Sequence, residues 1–481
     1  MRRKLSLAIL ILLLAASGIS QAQTVQTLVN QPPDGLGISF LLTDGTVISQ
    51  GNNFSAWDML TPDKFGSYVN GTWKTIASLP AGYTPDAFAS AVLPDGRVIV
   101  EGGEYINGGF AFTNMGAIYD PVKDTWTTQE PPRRWAFIGD SPSAVLPNGH
   151  FLLGSKFDKR IAELDPATLT WTNYNLTGKF DRNAEEGWTL LPDGSVLTYD
   201  VTKAPHSERY FPSKHKWVSA GSTIVDLHSP SPFGCIPYGP GGKYCYYPPG
   251  EVGPGILRPD GTVFATGSAS NGGTGVGHTA IYHPSKNKWT VGPDFPNGDN
   301  AGDQFAILVP NGNVLVFGNS GILYDFDGTN LTPDPVGSAV PVLMLPSGQA
   351  LVGTNSGAAV YNPAGTYQAS WAPVITAFPK SVARGSTYKI SGQQFNGLSQ
   401  AAAFGDENET ATNYPLVRIT NKASHHVFYA KTHDHSTMGV ATGTATVFTH
   451  FDVPAKMETG ASKLDVVANG IPSKPVNITI K

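Results

Sequence analysis

The stretch AGDQFAILVPNGNVLVFG, residues 301–318, reads as two short apolar strands joined by a Pro-Asn-Gly turn, with an acid, Asp303, two residues ahead of the first. A run as continuous as 305–309 suits a strand covered on both faces, and the glycine after Pro-Asn supplies the positive φ that a tight hairpin needs. Relatives recur along the chain: SFLLTDGTVISQG around Gly45, SAVLPDGRVIVEGG around Gly96, SAVLPNGHFLLGS around Gly149, WTLLPDGSVLTYD around Gly194, GILRPDGTVFATGS around Gly261 and PVLMLPSGQALVG around Gly348. Most are followed by a segment such as AIYDPVKDTW that ends in tryptophan, at Trp126, Trp171, Trp217 and Trp289, with weaker echoes at Trp73 and Trp371.

A repeat of about 50 residues with one glycine turn and one late aromatic per unit is the pattern of a four-stranded propeller blade of kelch type. With Gly312 there are seven such turns, so the expected fold is all-β: a seven-bladed kelch-type β-propeller over residues 23–371, closed without exposed edge strands. Residues 372–481 lack the repeat. Their short strands and turns, from APVITAFPKSVARGSTYKISGQQF to LDVVANGIPSKPVNITIK, predict a C-terminal immunoglobulin-like β-sandwich. The 54 glycines and 38 prolines in 481 residues agree with many turns and few helices.

Residues 1–22 combine Arg-Arg-Lys, an apolar run and a small-residue site, which reads as a signal peptide and implies a secreted or periplasmic protein. The apolar run is too short to favour a spanning helix and no second one follows. A net charge of −5 without a basic cluster past the N-terminus offers no footprint for nucleic acid. The oligomeric state is not legible. Cys235 and Cys245, close together in GCIPYGPGGKYCYYPPG, suit a disulfide in an oxidising compartment; free thiols or a soft-metal pair are the alternatives.

In a propeller the first strand of each blade lines the central channel and ends at the glycine turn. A residue about nine positions before that glycine therefore stands at the channel mouth. Asp140, Glu185 and Asp303 hold this place, and Asp86 and Glu251 come one position earlier. Such acids either cap loop backbone or form a convergent carboxylate ring. A ring needs compensation, because like charges raise one another's pKa. A divalent cation such as calcium can sit among the oxygens, a carboxyl pair can act as acid and base on a glycosidic bond, or neighbouring Lys and Arg can neutralise the ring. The cysteine loop emerges on the same face. Its Tyr238, Tyr244, Tyr246 and Tyr247 form either a stacking wall for a sugar or packing for the loop.

An exported kelch-type ring followed by a β-sandwich resembles galactose oxidase and its glyoxal-oxidase-like relatives, over nearly the whole mature chain. The segment YPLVRITNKASHHVFYAKTHDHSTMGV looks like the C-terminal part in which that family carries a Thr-His pair on a loop reaching up the channel to copper. The resemblance implies that Thr432-His433 takes this role, with His435 two residues on. The family's other ligands do not match: Gly253-Pro254-Gly255 stands where the family has Cys-Pro-Gly, Asp303 replaces the cross-linked tyrosine, and no Tyr-His pair precedes an inner strand. Copper-radical oxidation is therefore not carried over, whereas Asp140, Glu185, Asp303 and His433 remain candidate ligands for another metal. His278 is a further candidate if its strand end reaches the same mouth.

Three functions follow from these features. The first is binding of a carbohydrate or cell-surface glycan at an acidic, aromatic-rimmed channel mouth. The second is a galactose-oxidase-like enzyme, either a metal-dependent oxidoreductase or a carboxylate-based glycan-active enzyme, and the third is a structural surface protein contacting other proteins.

Overall fold

The computed structural model describes residues 22–229, 250–269, 276–405, 407 and 409–481, together with the backbone of 234–238 and 242–246. The predicted signal peptide lies outside the described residues, apart from Ala22. Among those described, no helix is long and apolar enough to cross a membrane. The only helices among them are single 3-10 turns.

Each glycine-turn repeat folds as one antiparallel meander. The first sheet runs Ser39–Leu41, Val47–Gln50, Trp57–Thr61 and Thr72–Ile76, and the second Ala89–Val92, Val98–Glu101, Gly116–Asp120 and Thr125–Gln129. The third comprises Ser143–Val145, Phe151–Gly154, Ile161–Asp165 and Thr170–Tyr174, and the fourth Thr189–Leu190, Val196–Tyr199, His206–Phe211 and Lys216–Ser222. Gly255–Leu257, Val263–Ala269, Gly277–His283 and Lys288–Val291 form the fifth, and Phe305–Leu308, Val314–Phe317, Leu323–Phe326 and Leu331–Pro333 make up most of the sixth. The seventh takes Val340–Met344, Ala350–Thr354 and Gly357–Asn362, and its fourth strand is the N-terminal segment Thr24–Thr27. The two ends of the repeat region are thus hydrogen-bonded to each other, with Thr24 opposite Asn362.

Local chemistry sets the hairpins. In the turn after each first strand the glycine has a φ of +79° to +93°. In six of the seven the Asp or Asn just before it accepts the backbone N–H two residues on, as Asp44 does from Thr46 at 3.0 Å and Asn311 from Asn313 at 2.9 Å. Three late tryptophans, Trp126, Trp217 and Trp289, pack on the preceding strand's tyrosine, and Trp126 and Trp289 reach back to the previous repeat. Trp289 lies 4.9 Å from Tyr282 and donates its indole N–H to Ser207 at 2.8 Å, and Trp126 donates to Ala77 O at 3.0 Å. Apolar clusters fill the spaces between neighbouring sheets, and Phe264 of the fifth stacks on Phe326 of the sixth at 3.7 Å. The first strands touch in succession, Val340–Met344 against Ser39–Leu41, Ser39–Leu41 against Ala89–Val92, and Phe305–Leu308 against Val340–Met344. They line one axis.

Beyond residue 373 the strands form a single curled nine-stranded sheet around a core that includes Ile390, Val417, Ile419, Phe451, Leu464 and Ile478. Two separate layers were expected. They are joined because Val427–His433 pairs with Leu416–Asn421 through its first half and with Val447–Asp452 through its last three residues. Strands that pass from one layer to the other in this way make the corners of packed sheets.

One piece leaves this unit. Ala402–Phe404 enters the ring and pairs antiparallel with Phe305–Leu308 as a fifth strand of the sixth sheet. Leu308 N–H donates to Ala401 O at 2.8 Å, and Leu190 N–H donates to Gln400 Oε1 at 2.7 Å, so this finger also meets the fourth sheet. The return limb is tied to the outgoing one by Thr412 N–H to Gln400 O at 2.9 Å.

Candidate functional site

Asp303 stands two residues ahead of the inner strand of the sixth sheet, and its φ is +50°; Glu185, ahead of the fourth, has φ +57°. A left-handed conformation costs a non-glycine residue about 1–3 kcal/mol and persists where the surroundings enforce it. Both carboxylates are held at the mouth end of the first strands by this strained backbone. The tip of the finger closes the space beneath them: Gly405 N–H donates to Gln304 O at 3.1 Å, and a Cβ on Gly405 would lie 2.8 Å from Asp303 Oδ1. Only glycine permits that approach.

A cavity of about 430 Å³ opens here. Its acidic lining residues are Asp86, Glu104, Asp140, Asp303 and Glu407, with Tyr105, Phe305 and Phe404 among the apolar ones. Asp140 and Glu185 are buried and share the ammonium of Lys156, itself buried, whose Nζ donates to Asp140 Oδ2 and to Glu185 Oε1. The carboxyl of Glu251 hydrogen-bonds that of Asp303. Burial, then the charges of Asp303 and Glu185, push Glu251 well above the ordinary carboxyl range, while Lys156 opposes the shift. Burial also raises Asp86 and Glu104, the latter further through Glu185, and raises the phenol of Tyr105 beside Glu104.

The four acids read from the sequence at the mouth are therefore brought together, with Asp86. Of the three compensations open to such a ring, the described residues display lysine neutralisation. Four partners were missed: Glu104, Tyr105, Lys156 and Glu407. Glu104 and Lys156 sit in the loops that link second and third strands, which emerge on the same face as the loops entering the first strands. The signal was present in the second repeat. There the 14 residues between Glu101 and Gly116 add a small sheet of Pro85–Asp86, Tyr105–Ile106 and Gly109–Phe110.

His433 and His435 do not join this site. Thr432 N–H donates to Thr43 O at 3.1 Å, and Thr43 borders the turn that ends the first strand, the opposite end from the acids. His433 instead bridges Asp434 at 2.9 Å and Asp452 at 3.2 Å, and His435 Nδ1 meets Thr449 Oγ1 at 2.9 Å. Desolvation, helped by His433, pulls His435 down to about 3. Resemblance pointed to a Thr-His loop in the channel. The element that occupies the channel is the finger carrying Glu407, because 416–433 is committed to the curled sheet's hydrogen bonds. His278 pairs with Asp294 at 2.7 Å and does not line the cavity.

The side chains of Cys235, Cys245, Tyr238, Tyr244 and Tyr246, and all of Tyr247, lie outside the described residues. The backbone of Gly234–Tyr238 and Gly242–Tyr246 forms a two-stranded hairpin that sets Cys235 directly opposite Cys245.

Among the described residues, Asp200, His206 and Glu208 alone have spacing suited to a metal ion. Their cation is already supplied. Buried Lys179 reaches Glu208 at 2.7 Å, Glu186 at 3.0 Å and Asp200 at 3.8 Å.

No protein-family model matches the sequence, and no curated protein matches it. Among solved structures, a fungal alcohol oxidase of the AA5 family in complex with copper shares 13% identity, with 96% of this chain and 99% of that one aligned at a TM-score of 0.50. A catalytically inactive virginiamycin B lyase from Staphylococcus aureus, with quinupristin, aligns over 70% of this chain and 98% of its own at 12% identity and TM-score 0.46. YjhT aligns over 69% and 99% at 14% identity and 0.39. The alignment with the oxidase shows the fold: a galactose-oxidase-like β-propeller chain. It does not carry the copper chemistry. Among the described lining residues the side-chain donors are carboxylates, the amides of Gln50 and Asn52 and one phenol, with neither histidine nor cysteine, and an ammonium already lies between Asp140 and Glu185. These residues do not fit the copper site that the resemblance implies.

Proposed function

We propose that this chain is an exported seven-bladed kelch-type propeller with a C-terminal sandwich, and that it binds carbohydrate in the acidic cavity at the channel mouth. The observation that carries this reading is the convergence of Asp86, Glu104, Asp140, Asp303 and Glu407 with Tyr105, Phe305 and Phe404 around about 430 Å³. A carboxylate accepts two hydroxyl donors at once, and aromatic rings cover the C–H faces of a sugar. Cavities of this size, part apolar and part polar, suit a small ligand.

A glycan array probed with the mature protein tests it. The expected result is a defined set of glycans whose binding falls about tenfold or more in Asp303→Asn and in Glu407→Gln, each removing one charged acceptor. Bound glycans unaffected by both changes, in variants that melt like wild type, would place binding elsewhere and sink the proposal.

The register of Cys235 opposite Cys245 supports the disulfide expected in an exported protein, since directly opposed antiparallel residues lie within the Cα separations a disulfide spans. Denatured, unreduced protein is expected to give no reaction with a thiol reagent, and two thiols after reduction. Two thiols before reduction contradict the bond.

A further inference from the structure

We propose that Ser219, His206 and Asp200 form a second, solvent-facing site that cleaves carboxylic esters by acyl transfer to Ser219. Asp200 follows Val196–Tyr199, His206 opens His206–Phe211, and Ser219 lies on the outer strand Lys216–Ser222 of the same sheet. Asp200 Oδ2 lies 2.5 Å from His206 Nδ1, and His206 Nε2 lies 3.1 Å from Ser219 Oγ. Asp200 is buried, His206 is half-buried and Ser219 is exposed. An enclosed acid, an imidazole and an open hydroxyl in one chain of hydrogen bonds is the arrangement that activates a serine on unrelated folds. A bulge assembles it. The ladder pairs Ser207 with Gly221 and Glu208 with Ser219, so Ala220 is an extra residue. Bulges of this kind re-aim neighbouring side chains, and here Ser219 meets the imidazole although Ser222 is the residue opposite His206. The site shares no residue with the lining of the acidic cavity and does not rest on the carbohydrate reading.

Asp200 is fixed from two sides: its N–H donates to His206 O at 2.9 Å, and Lys179 Nζ stands 3.8 Å from Oδ1. Burial raises its carboxyl, and Lys179 and then His206 oppose the rise. A carboxylate at Nδ1 keeps the ring proton there and leaves Nε2 as an acceptor. Gly221 N–H donates to Ser219 Oγ at 3.1 Å, so the hydroxyl's own proton is free for Nε2. Phe180, more than half exposed, lies 4.6 Å from the imidazole and offers an apolar face to an acyl chain. In the reaction Oγ bonds to the ester carbonyl carbon while its proton passes to Nε2. The bond from that carbon to the alcohol oxygen then breaks, and Nε2 returns the proton to the leaving oxygen. Water, deprotonated by the same nitrogen, releases the acid and restores Ser219. The Gly221 N–H beside Oγ is a backbone donor placed to meet the transient oxyanion.

The experiment treats the protein with a fluorophosphonate at about pH 8, above the ordinary imidazole range, and maps the adduct by peptide mass spectrometry. The wild type is expected to carry the phosphonyl group on Ser219, fluoride having left, and to lose hydrolysis of p-nitrophenyl butyrate with it. Labelling is expected to slow about 100-fold in His206→Gln, the usual scale of a lost general base. Asp200 is a positioning residue and has a readout of its own. In Asp200→Asn the pH of half-maximal labelling is expected to fall by about one pH unit, because the imidazolium loses its carboxylate. The charged groups around that titration are Asp200 and, behind it, Lys179 with Glu186 and Glu208. No adduct on Ser219 overturns the proposal, and that result is read in the wild type, where no variant has to fold. Labelling unchanged in His206→Gln marks a merely exposed serine, and butyrate hydrolysis that survives Ser219→Ala marks another nucleophile; either overturns it. A labelling midpoint unmoved in Asp200→Asn overturns the three-residue assignment as well.

Discussion

Lys156→Met is expected to destabilise the molecule by about 3–5 kcal/mol, the usual consequence of removing one partner from a buried ion pair. The cause is the company the side chain keeps. Lys156, Asp140 and Glu185 are all nearly inaccessible, and the ammonium donates to both carboxylates. Without it, two buried carboxylates beside Glu251 and Asp303 lose the ammonium they share. A drop in the denaturant midpoint measures the effect. Adding Asp140→Asn and Glu185→Gln removes the orphaned charges and is expected to restore most of the loss, because the penalty lies in the unpaired carboxylates more than in the lost attraction. A midpoint unchanged by Lys156→Met alone would show the cluster to be solvated, and the cavity's electrostatics would have to be redrawn.

The second large effect is on pH dependence. Glu251, Glu101 and Glu409 are each held well above the ordinary carboxyl range, in every case chiefly by burial. A raised pKa means that the folded state binds protons the unfolded state has released. The stability from each group is complete below the unfolded carboxyl range and is lost as pH rises through the folded value, about 1.4 kcal/mol for each pH unit of displacement. Asp193, Asp327 and Asp452 act oppositely: their pKa values are lowered by hydrogen bonds and neighbouring cations that outweigh partial burial, and their contributions are lost only in stronger acid. The contribution of these groups is therefore expected to peak within the ordinary carboxylate range, where the lowered acids are already ionised and the raised ones have not yet lost theirs. Glu251→Gln, which keeps the shape and removes the ionisation, is expected to be more stable than wild type at alkaline pH and no more stable near pH 4. Thermal melting across pH checks both. An identical difference at every pH would mean that Glu251 does not titrate differently in the folded state.

The finger gives the C-terminal unit a part in the candidate site. Glu407 lines the cavity although the strands before and after this excursion, Thr387–Gln393 and Leu416–Asn421, belong to the curled sheet, and Gln400 and Ala402–Phe404 bind the inner strands of the fourth and sixth sheets. Nothing in SQAAAFG announces this. A short strand of small residues carries no face pattern to say which sheet it joins, whereas the Asp-Gly and Asn-Gly turns declare their hairpins unaided.

His433 illustrates the converse. Thr-His-Asp-His suggested ligands because two polar rings spaced i and i+2 share a face of a strand, yet the ladder with Val447–Asp452 places His433 opposite His450 and gives it Asp434 and Asp452 as partners. The strand ends at His433 and Asp434 turns with a φ of +50°, so the alternation that would set His435 on the same face stops one residue short of it.

The sequence by itself determined the repeating meanders, the apolar inner strands and the acids at their mouths, since turn chemistry, alternation and repeat length are written within a few tens of residues. Only the tertiary structure decided that Lys156 neutralises two of those acids, that Glu104 and Glu407 complete the lining, and that the finger rather than His433 enters the channel. These depend on which remote segments share one axis. That is fixed by closure of the ring, with Thr24–Thr27 paired to Gly357–Asn362, and by hydrogen bonds between residues more than two hundred positions apart, such as Leu190 with Gln400. No local pattern encodes a contact whose energy exists only once the ring is shut.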